Sequence, residues 1–115
     1  MKARLIWKKS CDSCRRFKKA LDEMGAEYEG REMNSEPLDA QFVASLMGDR
    51  EVKPFLNTRN VVYREQGLSK SPPSRERAIE LISETNNLLR RPVLIVGDEM
   101  LIGADLERAR TLLSK

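Results

Sequence analysis

The sequence predicts an α/β fold: a four-stranded mixed sheet with helices packed on it, interrupted by an all-helical insertion. Three observations lead there. Residues 3–33 carry a strand–helix–strand pattern. Residues 92–113 carry two short apolar strands and a helix. Residues 35–88, between them, carry helical spacing and breaks rather than strand alternation. A strand–helix–strand unit implies parallel strands joined by a crossover. Two strands a few residues apart form an antiparallel hairpin. Joined in one sheet, the two units give mixed pairing.

The elements follow in order. Ala3 to Lys8, which contains the short apolar run Ala3–Trp7, reads as the first strand. Cys11 to Met24 reads as the first helix, because Cys14, Phe17, Leu21 and Met24 recur at helical spacing. Gly25 closes it, as glycine does just past a helix end. Glu27 to Met33 alternates, with Tyr28 among charged neighbours, and reads as a weaker second strand. In Asn34-Ser35-Glu36-Pro37 a polar cap precedes proline at the first helical position. That predicts a helix starting there, with Leu38, Phe42 and Leu46 on one face and an end at Gly48.

Residues 52–85 read as short helices broken at Gly67-Leu68 and Ser71-Pro72-Pro73, with Val61 to Tyr63 as the one candidate strand. Ser74 is a suitable cap for a helix through Ile79 and Ile82, ending near Asn86-Asn87. Pro92 to Val96 is the third strand, Gly97-Asp98-Glu99 a turn, and Met100 to Ile102 the fourth strand. Gly103 breaks the chain, and Asp105 to Leu113 forms the last helix with Leu106, Ala109 and Leu113 on one face. This order is that of the thioredoxin-like architecture. Residues 1–115 form a single domain, with the core at about 1–34 and 89–115 and the insertion at about 35–88. In that architecture a cis proline precedes the third strand beside the cysteine turn, so Pro92 is expected to be cis; X–Pro bonds permit this at small cost. The alternative is a trans proline opening an edge strand.

The 115 residues suit one domain burying its own core. Hydrophobic residues make up 40% and charged residues 34%, an ordinary water-soluble balance. No apolar run approaches the roughly 18–20 residues that cross a bilayer, and Ala3–Trp7 is too short for the apolar region of a signal peptide. The expectation is a cytoplasmic monomer with no membrane partner. The formal net charge of +3 suits anionic small molecules and permits nucleic-acid contact, but identifies neither. Aromatics, at 5%, leave no visible stacking platform for single strands.

Cys11-Asp12-Ser13-Cys14 carries the chemistry. These are the only two cysteines, set where the first strand meets the first helix. In a cytoplasmic protein disulfides are rare, and such a pair is more often catalytic or sensing. The thiolate is the nucleophile. The first turn of a helix offers unpaired N–H groups and the positive end of the helix dipole, both of which stabilise it. Lys8, Lys9, Arg15 and Arg16 add positive charge, while Asp12 opposes a thiolate. The Cys11 pKa is therefore expected below the free value of about 8.5, and Cys14 can close a disulfide with it. Competing readings remain. Half a zinc site would need a dimer to complete it, since the chain has no histidine and no third cysteine; no metal is expected. Cys14 can be a core residue, because free cysteine is often buried. Both can also be inert.

Four blocks together resemble the arsenate reductase/Spx group of thioredoxin-fold proteins. They are Cys11-Asp12-Ser13-Cys14-Arg15, Leu56-Asn57-Thr58-Arg59, Leu88-Leu89-Arg90-Arg91-Pro92 and Met100-Leu101-Ile102-Gly103. By that resemblance Cys11 matches the cysteine that attacks arsenate in the glutaredoxin-coupled reductases. Arg59 and Arg91 match two arginines that bind the oxyanion there and depress the thiol pKa. An arginine fork suits a tetrahedral oxyanion better than lysine does. Two departures stand out. The reductases carry a further arginine in the last hairpin, where this chain has Leu101-Ile102-Gly103-Ala104. Cys14 stands where they usually have another residue; a C-x-x-C there is similar to Spx, the redox-sensing regulator that binds RNA polymerase. The glycine used for polymerase contact has no clean counterpart, Gly48 being offset relative to Arg59.

The resemblance implies two functions. The first is a thiol redox protein with Cys11 as nucleophile and Cys14 as resolving thiol. In it Arg15, Arg59 and Arg91 hold a small oxyanion or a glutathione carboxylate. It has no bound cofactor, and glutathione, glutaredoxin or thioredoxin serves as reductant or partner. The second is a regulator whose disulfide alters binding to the C-terminal domain of the RNA polymerase α subunit.

Overall fold

The computed structural model describes residues 3–114; the extreme ends of the expected 1–115 span lie outside the described residues. The described chain divides into two compact units, one containing residues up to Glu36 and from Arg91 onward, the other Pro37–Arg90.

In the sheet unit the strands are β1 (Ala3–Trp7), β2 (Tyr28–Glu32), β3 (Val93–Val96) and β4 (Glu99–Ile102). Their spatial order is β2-β1-β3-β4. β1 and β2 are parallel, with Trp7 opposite Glu32, while β1–β3 and β3–β4 are antiparallel. This is the mixed α/β sheet of the thioredoxin-like architecture. The helices of the unit are α1 (Asp12–Glu23) and, at the end of the chain, α5 (Leu106–Leu113). Its core joins Ala3, Leu5, Phe17, Leu21, Leu94 and Ala109, drawn from β1, α1, β3 and α5. Burying each large side chain contributes roughly 1.5–3 kcal/mol relative to leaving it exposed.

Two glycines matter to this course. Gly25 has φ +73° just after α1, which lets the Ala26 N–H return to the Leu21 carbonyl at 3.1 Å. Gly97 has φ +62° in the two-residue link between β3 and β4, a conformation that tight hairpins require and other residues resist. The turn is thus Gly97-Asp98, and Glu99 belongs to the strand. In α5 the buried face is Ala109 and Leu112; Leu106, expected there, is 38% exposed.

The helical unit holds α2 (Ala40–Met47), α3 (Val61–Glu65) and α4 (Arg75–Glu84), with 3₁₀ turns at Lys53–Phe55 and Asn86–Leu88. α2 starts later than the Pro37 signal implied. Its cap is Asp39, whose carboxylate accepts from the Phe42 N–H at 2.8 Å, and its buried face is Val43, Leu46 and Met47. Phe42 is only half-buried. Val61 to Tyr63, the candidate strand, is helical: the Asn60 side chain accepts from the Val62 N–H at 2.9 Å and starts α3. Ser74 caps α4 as expected, accepting from the Arg77 N–H. No helix among the described residues is long and apolar enough to cross a membrane.

Candidate functional site

β1 delivers the chain to the cysteines. The Trp7 carbonyl accepts from the Met33 N–H at 2.9 Å, which ties the end of β1 to the end of β2. A turn follows in which the Cys11 N–H donates to the Lys8 carbonyl at 3.0 Å. Cys11 is then the N-cap of α1, with extended backbone at φ −100° and ψ 117°. The other four α-helices are each capped by a polar side chain: Asp39, Asn60, Ser74 and Asp105. α1 has no such cap. Its first-turn N–H groups have no partner within the helix, and that of Cys14 reaches the Cys11 sulfur.

The two thiols are free and unlike each other. Cys11 is half-buried, and its Sγ lies 3.3 Å from the Ser13 Oγ. Cys14 is 0% exposed. Partial burial pushes the Cys11 pKa up. The Ser13 hydroxyl, the Cys14 backbone N–H, the Cys14 thiol and the charge of Arg91 outweigh that and bring it down to about 7. For Cys14 deeper burial dominates. Cys11 adds to the rise, the Lys8 backbone and Arg91 counter it only in part, and the thiol is pushed up to about 11. The lowered pKa favours the thiolate at Cys11 relative to an ordinary thiol near neutral pH, while burial keeps Cys14 protonated.

The arginines expected at the site differ in position. Arg91, half-buried, precedes Pro92 across a cis peptide bond and acts electrostatically on both sulfurs. Arg15 is exposed, ion-pairs with Asp12 and donates to the Lys9 carbonyl at 3.4 Å. Asp12, expected to oppose the thiolate, thus has a local countercharge. Arg59 belongs to the helical unit, exposed in the turn before α3, where its N–H donates to the Asn57 side chain at 3.1 Å. The leading stabilisers of the Cys11 thiolate are Ser13, Cys14 and Arg91 rather than the flanking Lys8, Lys9, Arg15 and Arg16. Ser13 was not singled out from the sequence, although a hydroxyl two residues from a nucleophile is a usable signal.

A groove of about 810 Å³ runs past Trp7, Lys18, Asp22, Tyr28 and Gly30 and includes neither cysteine. In it the Lys18 ammonium sits 5.3 Å from the Trp7 ring centre and 5.8 Å from that of Tyr28, and Asp22 accepts from both Lys18 and Tyr28. Lys18, Asp22, Tyr28 and Trp7 thus satisfy one another. Among the described residues no group of three or more histidine, cysteine or carboxylate side chains comes together as metal ligands.

The model of the ArsC family matches residues 6–112. The global transcriptional regulator Spx of Streptococcus agalactiae is 27% identical over 108 residues, spanning 92% of this chain and 79% of that protein. Among solved structures, an ArsC family related protein from Bacteroides fragilis is 29% identical with a TM-score of 0.79, the match covering 97% of this chain and 99% of that one. The arsenate reductase of Vibrio cholerae has a TM-score of 0.83 and covers 98% of each chain. At 18% identity that likeness shows the fold alone.

Proposed function

The chain belongs to the ArsC family, and we propose that it is a thiol-dependent redox protein in which Cys11 is the nucleophile and Cys14 the resolving thiol. The observation that carries this is the asymmetry of the pair. Cys11 stands half-exposed at an uncapped helix start with its pKa brought down to about 7, and Cys14 is buried with its pKa pushed up to about 11. That difference supports the following order of events. The Cys11 thiolate attacks the oxidised group. With a disulfide R–S–S–R′ it forms Cys11–S–S–R and expels R′–S⁻. The Cys14 thiol then attacks the Cys11 Sγ, its proton passing to the departing sulfur, so that R–SH leaves and the Cys11–Cys14 disulfide remains. Glutathione or glutaredoxin can instead take the place of Cys14 by attacking the mixed disulfide from outside.

Arg91 favours an anionic substrate at this sulfur, and its charge already acts on Cys11. Arg59 and Arg15 are the further arginines proposed for a small oxyanion or a glutathione carboxylate. Ile102 ends the last hairpin and Ala104 follows it two residues on, in the stretch where the resemblance implies a further arginine in the reductases. Weak arsenate turnover is therefore expected, rising when either is replaced by arginine.

A second reading is favoured by one observation: relatives that align over 92% of this chain bear the name of a global transcriptional regulator. In it the Cys11–Cys14 disulfide is a switch on binding to the C-terminal domain of the RNA polymerase α subunit. One experiment separates the two. Arsenate and disulfide reduction coupled to glutathione and glutaredoxin are measured for wild type and Cys11→Ser, beside a pull-down of the polymerase domain by dithiol and disulfide forms. Cys11-dependent turnover without redox-dependent capture supports the enzyme. Capture without turnover supports the regulator.

A further inference from the structure

Glu32, the last residue of β2, stands beside the route into the cysteine turn. Its Oε2 accepts from the Lys9 N–H at 2.8 Å. Its Oε1 accepts from the Ser35 N–H at 2.8 Å and the Ser35 hydroxyl at 3.0 Å. Lys9 is the second residue of the turn whose closing bond runs from the Cys11 N–H to the Lys8 carbonyl at 3.0 Å. The Lys9 peptide is therefore held from one side by Glu32. Its carbonyl is approached by Arg15 of α1. Glu32 itself is fixed by the parallel register that sets it opposite Trp7.

We propose that Glu32 is a positioning residue for Cys11: its carboxylate grips the Lys9 peptide and so holds the turn that sets Cys11 at the start of α1. The thiolate is stabilised by groups that must meet the sulfur closely, the Ser13 hydroxyl and the Cys14 N–H among them. A hydrogen bond weakens steeply once its distance or angle slips, so a loosened turn costs the thiolate its stabilisation. Charge-assisted bonds from backbone N–H to carboxylate are among the stronger ones. This grip persists in acid: the Lys9 N–H, against slight burial and with help from Asn34 and Ser35, holds the Glu32 carboxyl down to about 2.

The inference rests on Cys11 being an activated nucleophile, and its test separates position from charge. As a negative charge alone, Glu32 would disfavour the thiolate, so removing that charge would lower the Cys11 pKa. As a positioning group, losing its reach would raise it. Glu32→Asp keeps the charge and shortens the arm; Glu32→Gln keeps an acceptor oxygen and drops the charge. Cys11 alkylation by iodoacetamide is followed against pH in both, with thermal melting as the measure of fold. The expected result is a raised midpoint in Glu32→Asp, by enough to slow alkylation about three-fold at slightly acid pH because the thiolate is the reacting species. Glu32→Gln should sit at or below the wild-type midpoint. Glu32→Asp unchanged, or both variants shifted downward, overturns the inference. Lowered melting without a moved midpoint also overturns it, since Glu32 would then be structural only. If Glu32→Asp fails to fold, Glu32→Ala against Glu32→Gln decides: both drop the charge and only Gln keeps an acceptor for the Lys9 N–H, so Glu32→Ala should have the higher Cys11 midpoint. Equal midpoints would overturn the proposed route. An ordinary wild-type Cys11 midpoint would instead remove the functional reading itself. A depressed wild-type midpoint that Glu32→Asp leaves unmoved removes only the role of Glu32.

Discussion

The sheet unit and the helical unit are held by different means. In the first, backbone ladders fix each strand, and a one-residue slip would turn every side chain to the wrong face. In the second, side chains bracket distant backbone. Asn86 accepts from the Leu38 N–H at 2.8 Å and donates to the carbonyls of Leu38 and Ile82 at 3.0 and 2.8 Å. The Arg75 guanidinium donates to the carbonyls of Gly48 and Arg50. Asn57 binds the carbonyls of Leu88, through its N–H, and Asn87, through its side chain. The difference teaches where chemistry can be placed. The thiol pair sits at the end of a ladder strand, where register fixes the backbone and the first turn of α1 can be left without a polar cap.

The largest effect comes from the ladder side. Cys11→Ser should abolish fast alkylation near neutral pH and leave the fold intact, because the sulfur is half-exposed and joins no core cluster. Peptide mass spectrometry after iodoacetamide treatment reads both cysteines at once. Rapid labelling of Cys14 in this variant would show that the asymmetry between the thiols depends on Cys11 rather than on burial.

Stability sharpens the same contrast. Phe17→Ala removes a buried ring from the sheet core and should cost about 3–5 kcal/mol. Asn86→Ala removes three hydrogen bonds at roughly 1 kcal/mol each and should cost about 2–3 kcal/mol. Denaturant unfolding measures both. A loss well under about 1 kcal/mol in Asn86→Ala, the size of a single hydrogen bond, would mean that apolar packing alone organises the helical unit.

The contrast also explains what the sequence revealed. Strands, hairpin and cysteine turn were legible because short apolar runs, the alternation of residues 27–33, Gly97 and the C-x-x-C spacing each mark position directly. The start of α2 was not. Leu38 is buried without being helical, since its backbone pairs with Asn86, 48 residues away, and no local pattern reports that. Val61 and Val62 favour strand by β-branching, yet the Asn60 cap and the unit's packing make them helical. At the site the charge count misled in a specific way. Arg15 pairs with Asp12, and the stabilisation of Cys11 comes first from Ser13 and Cys14. Hydrogen-bond direction at a helix start is a matter of tenths of an ångström, which residue type alone does not encode.

A smaller effect concerns pH. The Cys11 pKa is lowered on folding, from an unfolded value of about 8.5 to about 7. The stability it contributes is fully present above about 8.5 and is lost as pH falls through 7. Cys14 is raised to about 11, so its contribution is present below about 8.5 and lost as pH rises through 11. Wild type should therefore gain stability between about pH 7 and 8.5 relative to Cys11→Ser. Unfolding midpoints across that window test it. A wild-type curve parallel to that of the variant would show that the thiolate is no better held in the folded state than in the unfolded one.

The smallest difference expected is between two residues that act on the same sulfur. Ser13 hydrogen-bonds to Cys11 Sγ at 3.3 Å, whereas Arg91 acts through its charge and contributes less. Ser13→Ala should then raise the Cys11 midpoint more than Arg91→Ala does, each read from ultraviolet thiolate absorbance against pH. Salt distinguishes their mechanisms. Screening acts over a Debye length of about 8 Å at physiological ionic strength, so added salt should shrink the Arg91 effect and spare that of Ser13. The opposite order, with Arg91→Ala dominant and salt-sensitive, would mean that the positive charge before Pro92 governs the thiol. The oxyanion role proposed for Arg91 would then carry more of the chemistry than the hydrogen bonds at the start of α1.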